Sequence, residues 1–216
     1  STVYVNTNAG FSIVGYTGTG SNATIGHGLS SAPEMLIVKS ATSAMDWKVY
    51  HASEGAGKQG YLNLANAFES AGTLWQNTTP TSSLFYVNND ASVNHNTNTM
   101  IAYCFHSVDG YSKVGSYVGN GNNDGTFVYT GFRPEWVMAK VVSADTHGWA
   151  IYNSASKTYN YLGNVLQANA SNAEMTSEFL DFTSNGFKHR TSSTWNNGSG
   201  KTYIYLAFAE SPFKYS

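Results

Sequence analysis

The chain repeats itself, and that repeat limits the folds open to it. Gly10-Phe11-Ser12 leads into Gly15-Tyr16-Thr17-Gly18-Thr19-Gly20, and about a hundred residues later Gly110-Tyr111-Ser112 leads into Ser116-Tyr117-Val118-Gly119-Asn120-Gly121. Ala32-Pro33-Glu34-Met35-Leu36-Ile37-Val38-Lys39 is answered by Arg133-Pro134-Glu135-Trp136-Val137-Met138-Ala139-Lys140. Asp46-Trp47-Lys48-Val49-Tyr50 is answered by Gly148-Trp149-Ala150-Ile151-Tyr152. Asn94 with Thr99–Phe105 is answered by Asn197 with Thr202–Phe208. The offset creeps from 100 to 103, as it does when insertions sit in loops. Two copies of one supersecondary unit, residues 10–109 and 110–216, are therefore expected.

Within each copy the pattern is that of strands. Phe11 and Ile13 alternate with polar neighbours, Glu34 to Lys39 is a short apolar run after Pro33, and Trp47, Val49 and His51 alternate with Lys48 and Tyr50. Leu84–Val87 and Met100–Val108 continue the series, and residues 65–72 suit a single helical turn. The second copy repeats the order at 111–118, 126–130, 135–142, 149–153, 179–183, 187–190 and 202–209, with Asn185-Gly186 as a hairpin turn. Many short strands with frequent turn residues and almost no helical period predict an all-β protein, an antiparallel β-sandwich of jelly-roll or lectin-like type. No Pro, charge run or Ser run separates 107 from 115, so the expectation is one domain, 1–216, built from two duplicated halves about a pseudo-twofold axis. Two separate sandwiches are the alternative. Ile37, Val49, Ile101, Met138, Ile151 and Ile204 are the expected core.

Composition narrows the function classes. Charged residues make up 11%, and 15 Tyr, 11 Phe and 5 Trp supply bulk among neutral, hydrogen-bonding loops. Eleven Lys+Arg against 13 Asp+Glu leave no positive excess to neutralise phosphates, so a nucleic-acid partner is not expected. No apolar run reaches the ~18 residues of a membrane span, and membrane insertion is not expected. Ser1-Thr2-Val3-Tyr4-Val5 has neither the basic nor the apolar region of a signal peptide, and a start on Ser agrees with a fragment of a longer protein. Cys104, the single cysteine, can form no internal disulfide and lies in an apolar run, where a buried, inert thiol is expected.

Residues matched between the copies, such as Trp47 with Trp149, Lys39 with Lys140 and Glu34 with Glu135, are most simply scaffold, with Pro-Glu setting strand entry. Unmatched residues are better binding candidates. Trp75 and Asn77 sit in Leu74-Trp75-Gln76-Asn77-Thr78-Thr79-Pro80, and Trp195 and Asn196 in Ser193-Thr194-Trp195-Asn196-Asn197-Gly198. A loop Trp among amides is the composition of a sugar-stacking site, with the indole covering C–H faces and the amides bonding hydroxyls; the competing reading is a Trp folded back as a lid. Asn120 to Gly125 matches a calcium loop only in part, since Gly131 stands where the bidentate Glu belongs, so a simple turn is expected. Gly18-x-Gly20 and Gly119-x-Gly121 precede no helix that could meet a phosphate. The six His show no zinc spacing, no G-x-S-x-G elbow occurs, and nothing selects a catalytic pair among Glu174, Glu178 and Asp181. No cofactor is expected.

Three phrases carry a resemblance: Gly110 through Gly121, Gly131-Phe132-Arg133-Pro134-Glu135-Trp136-Val137, and Tyr203 through Tyr215. They resemble a family of largely uncharacterised domains in structural proteins of tailed bacteriophages, often toward the C-terminus of long fibre-like chains. The resemblance implies a virion-surface β-sandwich without enzymatic activity, attaching to host-cell glycans as part of a tail fibre or capsid surface. Two alternatives stay open: a decoration or assembly protein that contacts only other virion chains, with homo-oligomers among its forms, and a polysaccharide-degrading enzyme.

Overall fold

The structure, a computed structural model, describes residues 1–143, 146–157, 159–177 and 179–212. Contacts gather into two compact units, Ser1–Asn63 with Phe68–Ser107, and Leu64–Ala67 with Val108–Ser216. The chain is all-β with antiparallel sheets. The strands of the first unit are β1 (Thr2–Asn6), β2 (Phe11–Thr17), β3 (Ala23–Gly26), β4 (Met35–Ser40), β5 (Lys48–His51), β6 (Lys58–Tyr61), β7 (Glu69–Ser70), β8 (Leu84–Val87) and, after the short helix α1 (Ala91–Asn94), β9 (Thr99–Phe105). Those of the second are β10 (Ser112–Val118), β11 (Phe127–Tyr129), β12 (Pro134–Val141), β13 (Ala150–Asn153), β14 (Leu166–Gln167), β15 (Leu180–Thr183), β16 (Gly186–His189) and β17 (Thr202–Ala209).

Each unit is a two-layer sandwich. In the first, the sheet β1-β2-β9-β4-β5-β6-β7 faces the pair β3-β8. Burial alternates along β9, with Met100, Ala102 and Cys104 turned inward against Ile25, Phe85 and Val87. In the second, β10-β17-β12-β13-β14 faces β11-β16-β15 across a cluster that includes Tyr117, Val137, Tyr203, Tyr205, Phe182 and Phe187. Where sequence reading joins both halves in one sandwich, the buried residues sort into two clusters, one per unit.

The residues matched in sequence occupy matched places in the ladders. Gly15 pairs with Ile101 and Ser116 with Ile204; Ile37 pairs with Tyr103 and Met138 with Leu206; Ile25 pairs with Phe85 and Val128 with Phe187. Of the expected core, Ile37, Val49, Met138 and Ile204 are buried, while Ile101 and Ile151 are half-buried. These two neighbour the buried Ala102 and Ala150 and so point to the opposite sheet face.

Local departures have physical causes. The expected helical turn at 65–72 is absent: the two-residue strand β7 lies there, and the one α-helical turn among the described residues is α1, capped by the Asp90 side chain on the Ser92 amide. Met100–Val108 does not run on into the next strand. β9 ends at Phe105, and Gly110, at φ +72°, closes a turn in which the Val108 carbonyl accepts the Tyr111 and Ser112 amides. The β15–β16 turn uses Ser184 and Asn185, since Gly186 already pairs with Thr183. Gly186 is glycine for space, because a Cβ there would lie 2.1 Å from the Val128 carbonyl oxygen.

One device recurs in both units. Asn94 is fully buried, accepts the Thr19 amide at 2.8 Å, and donates to Thr19 Oγ1 and the Ser21 and Asn88 carbonyls at 3.1, 2.5 and 2.8 Å. Asn197, equally buried, accepts the Asn120 and Thr126 amides at 3.1 and 3.4 Å. It donates to Asn120 Oδ1 and the Asn122 and Thr191 carbonyls at 2.8, 2.9 and 2.8 Å. The Gly-x-Gly phrases are shaped to this clasp. A Cβ on Gly18 would sit 1.9 Å from the His95 carbonyl, and one on Gly119 would sit 2.4 Å from that of Gly198. Since each buried polar group left unsatisfied costs ~1–3 kcal/mol, Asn197→Ala is predicted to lose about 3 kcal/mol or more. Urea denaturation should show a lower midpoint with an unchanged slope. A loss below ~0.5 kcal/mol would mean that water replaces the clasp without penalty.

Candidate functional site: the outer face of a three-stranded sheet

The loop residues expected to bind sugar are mostly turned inward. Trp75 is 1% exposed, its Nε1 donates to the Lys58 carbonyl at 3.1 Å, and its ring meets Tyr50 edge-on at 6.0 Å. No ring face is left for a ligand, because an indole whose N–H finds a carbonyl is most stable out of water. Asn77 is exposed, at φ +48°, in the turn closed by the Thr78 amide on the Trp75 carbonyl. Trp195 is half-buried, stacked on His147 with centroids 5.2 Å apart and bonded through Nε1 to the Gly148 carbonyl at 3.1 Å. Asn196 is fully buried; its Nδ2 donates to Tyr152 Oη at 2.5 Å, and its carbonyl accepts the Tyr117 hydroxyl at 2.8 Å. Trp75 thus serves the interior of the first unit and Asn196 that of the second.

The other residues marked in sequence are also accounted for. Trp149 is buried, and Trp47 is half-buried over Tyr103 at 6.3 Å. Lys39 and Lys140 each donate to carbonyls of the following loop, those of Ser43 and His147. Glu34 Oε2 accepts the Ser107 amide at 2.5 Å, whereas Glu135 is exposed at a register shift of β12. Burial pushes the Cys104 thiol up to about 12. In the Asn120–Gly125 loop, Asn120 Oδ1 and Asn122 Oδ1 accept the Asn122 and Asp124 amides, so these oxygens serve the turn itself. No group of metal-ligating side chains occurs among the described residues. Glu178 and the last part of the third motif, Phe213 to Tyr215, lie outside them.

What sequence reading missed is the outer face of β11-β16-β15. Phe127 and Tyr129 stand two residues apart on the edge strand β11 and share one face, while Val128 between them is buried. Phe127 is 45% exposed and Tyr129 65%. A Cβ on Gly186 would lie 3.0 Å from Phe127 Cζ, so the tip of the ring takes the space that the missing side chain leaves. Across the ladder Phe127 faces Lys188, and Lys188 faces Asp181. Charge neighbours order this row: Asp124 lies 2.5 Å from Lys188 Nζ and 3.6 Å from Arg190, and Asp181 lies 2.5 Å from Arg190 Nε. The Lys188 hydrogen bond holds the Asp124 carboxyl below the usual carboxylate range. The repeat held the missing signal: Phe127 and Tyr129 take the ladder places of Thr24 and Gly26 in the first unit.

Beneath the face, His189 is fully buried, stacked on Tyr117 at 5.0 Å and edge-on to Phe187. Neither ring nitrogen has a hydrogen-bond partner among the described residues, and burial lowers its pKa to about 3. The sign follows. Above the unfolded value near ~6.5 the ring is neutral in both states; below it only the unfolded chain takes the proton. Stability should therefore fall by about 1.4 kcal/mol per pH unit from ~6.5 toward 3 on account of this one group. His189→Phe, compared with the unaltered protein by urea denaturation across that window, should flatten the dependence by that slope. Parallel pH curves would contradict the assignment.

With this geometry in place, comparison with known proteins adds a family and no function. Residues 1–212 match a family described as "Domain of unknown function (DUF7483)". No curated protein and no solved structure matches the chain. The match covers nearly the whole sequence, and the chain belongs to this DUF7483 family.

Proposed function

We propose that this chain is a non-enzymatic attachment domain of a phage virion surface, in a tail fibre or on the capsid, and that it binds host-cell glycans on the β11-β16-β15 face. One observation carries the binding reading: Phe127 and Tyr129 stand exposed side by side on one face, on a strand rather than a loop. Aromatic faces cover the C–H faces of sugars, and rigid placement reduces the ordering penalty of binding. Asp124, Lys188 and Arg190 stand alongside to bond hydroxyls. The virion assignment rests on the resemblance of the three sequence phrases. It takes the two units as copies of one ancestral module, with the second modified at the positions of Thr24 and Gly26.

Attachment is favoured over cleavage of the glycan. A glycosidase needs one carboxyl poised to donate a proton, with its pKa raised. Asp124 is instead held in its charged form by Lys188, and Asp181 is engaged by Arg190. The assembly reading has its own observation: the edge strand β1 carries no charge and exposes Tyr4 and Val5. Sedimentation of the purified chain tests it, since a monomer across the micromolar range would remove that support.

The binding reading predicts that Tyr129→Ala keeps the melting temperature within about 2 °C, as for most surface substitutions. On a glycan array, the same change should weaken the retained glycans by ~1–3 kcal/mol, the range for truncating an aromatic anchor. Unchanged retention and unchanged attachment to host cells would move the site elsewhere.

A further inference from the structure

Next to the proposed platform the second unit has a cleft of about 240 Å³. Its lining includes Phe182 on the outer edge of β15, and Leu162, which bridges to Leu180 of that strand. Asn160 Nδ2 donates to the Phe182 carbonyl at 2.8 Å, Asn160 Oδ1 accepts the Phe182 amide at 3.1 Å, and Arg133 Nη1 donates to the same carbonyl at 2.7 Å. Arg133 Nε also meets Glu210 at 3.1 Å, which fixes the guanidinium plane and leaves Nη2 without a partner among the described residues. Lys157 lies over the Tyr161 ring at 4.7 Å and pairs with no carboxylate among the described residues. Tyr159, 80% exposed, lines the cleft. Two cations thus line a cleft where one carboxylate stands, beside the exposed Tyr159 ring.

We infer that this cleft binds the carboxylate of an acidic sugar, and that the platform and the cleft hold successive units of one oligosaccharide. The inference rests on the glycan-binding reading above. Arg133 suits a carboxylate because a guanidinium held in plane offers parallel N–H donors, while Lys157 adds a movable point charge. The spacing supports a single ligand. From β11 to β15 is two inter-strand steps, roughly 10 Å, and the cleft opens just beyond, a reach of two to three sugar units. A carboxylate read this way gives selectivity for acidic surface polysaccharides over neutral ones.

Titration calorimetry with oligogalacturonate and its methyl ester tests it, because the pair differs in charge and not in sugar. The free acid should bind the intact chain roughly tenfold or more tightly than the ester, the scale of a charge-assisted hydrogen bond, and the margin should shrink as NaCl rises. Lys157→Met should cut the margin several-fold with the melting temperature in place, and Arg133→Lys should cut it several-fold as well. Equal affinity for acid and ester, with Tyr129→Ala still weakening both, would overturn the inference and leave the platform standing. No binding of any oligosaccharide would remove both. A glycerol-phosphate oligomer that displaces the free acid with equal affinity would also overturn it, since the cleft would then read negative charge alone.

Discussion

Two side chains that never meet solvent hold the turns of this protein. Asn94 and Asn197 each tie a Gly-x-Gly turn to the segment before a closing strand, through hydrogen bonds that only an amide, with both donor and acceptor, can make together. The ordering matters because β9 and β17, the strands that follow, are interior strands of the two large sheets, paired on both sides. If the clasp slips, the closing strand loses its register against β2 or β10, and every inward residue with it. The glycines at 18 and 119 leave no room for a side chain at the point of closest approach, so clasp and turn depend on one another. Tyrosine hydroxyls reinforce the same spot: Tyr16 on the Val93 carbonyl, and Tyr117 on that of Asn196.

A scaffold secured this way can vary elsewhere without unfolding. The first unit keeps Thr24 and Gly26 on the outside of its small sheet, and the second carries Phe127 and Tyr129 there. His189 extends the difference inward. It occupies the ladder place of Val87 and packs as an aromatic ring against Tyr117, neutral because the core excludes its charge. The proposed binding surface and the bulkier core beneath it therefore belong to the same unit. The charged row beside Phe127 is cross-linked by Arg190, which bridges Asp124 and Asp181.

The all-β class and the positions of most strands were legible in the sequence, because short apolar runs bounded by turn residues mark them. All six expected core residues, Ile37, Val49, Ile101, Met138, Ile151 and Ile204, alternate with the residues of the two inward clusters, because apolar character does not say which sheet face a residue takes. The helical turn near 65–72 was misplaced because a short Ala-rich stretch carries too little period to compete with pairing to β6. Trp75 and Asn196 misled for a deeper reason. Polar neighbours suggested exposure, yet the indole N–H and the amide were bonding groups for buried backbone and Tyr152. Lack of a counterpart in the other copy pointed to difference, and difference was not surface. Phe127 and Tyr129 carried the better signal, since they alternate with buried Val128 on a strand where the first copy has small residues.

The central claim, that the outer face of β11-β16-β15 is a sugar-binding surface, is tested most directly by amide NMR. The chain, labelled with nitrogen-15, would be titrated with an oligosaccharide retained on a glycan array. The account predicts that shifts gather on residues 127–129, 181–183 and 186–190, and continue to Arg133 and Asn160 when the sugar is acidic. Shifts confined to the Trp75 or Trp195 loops, or spread without focus over both units, would contradict it.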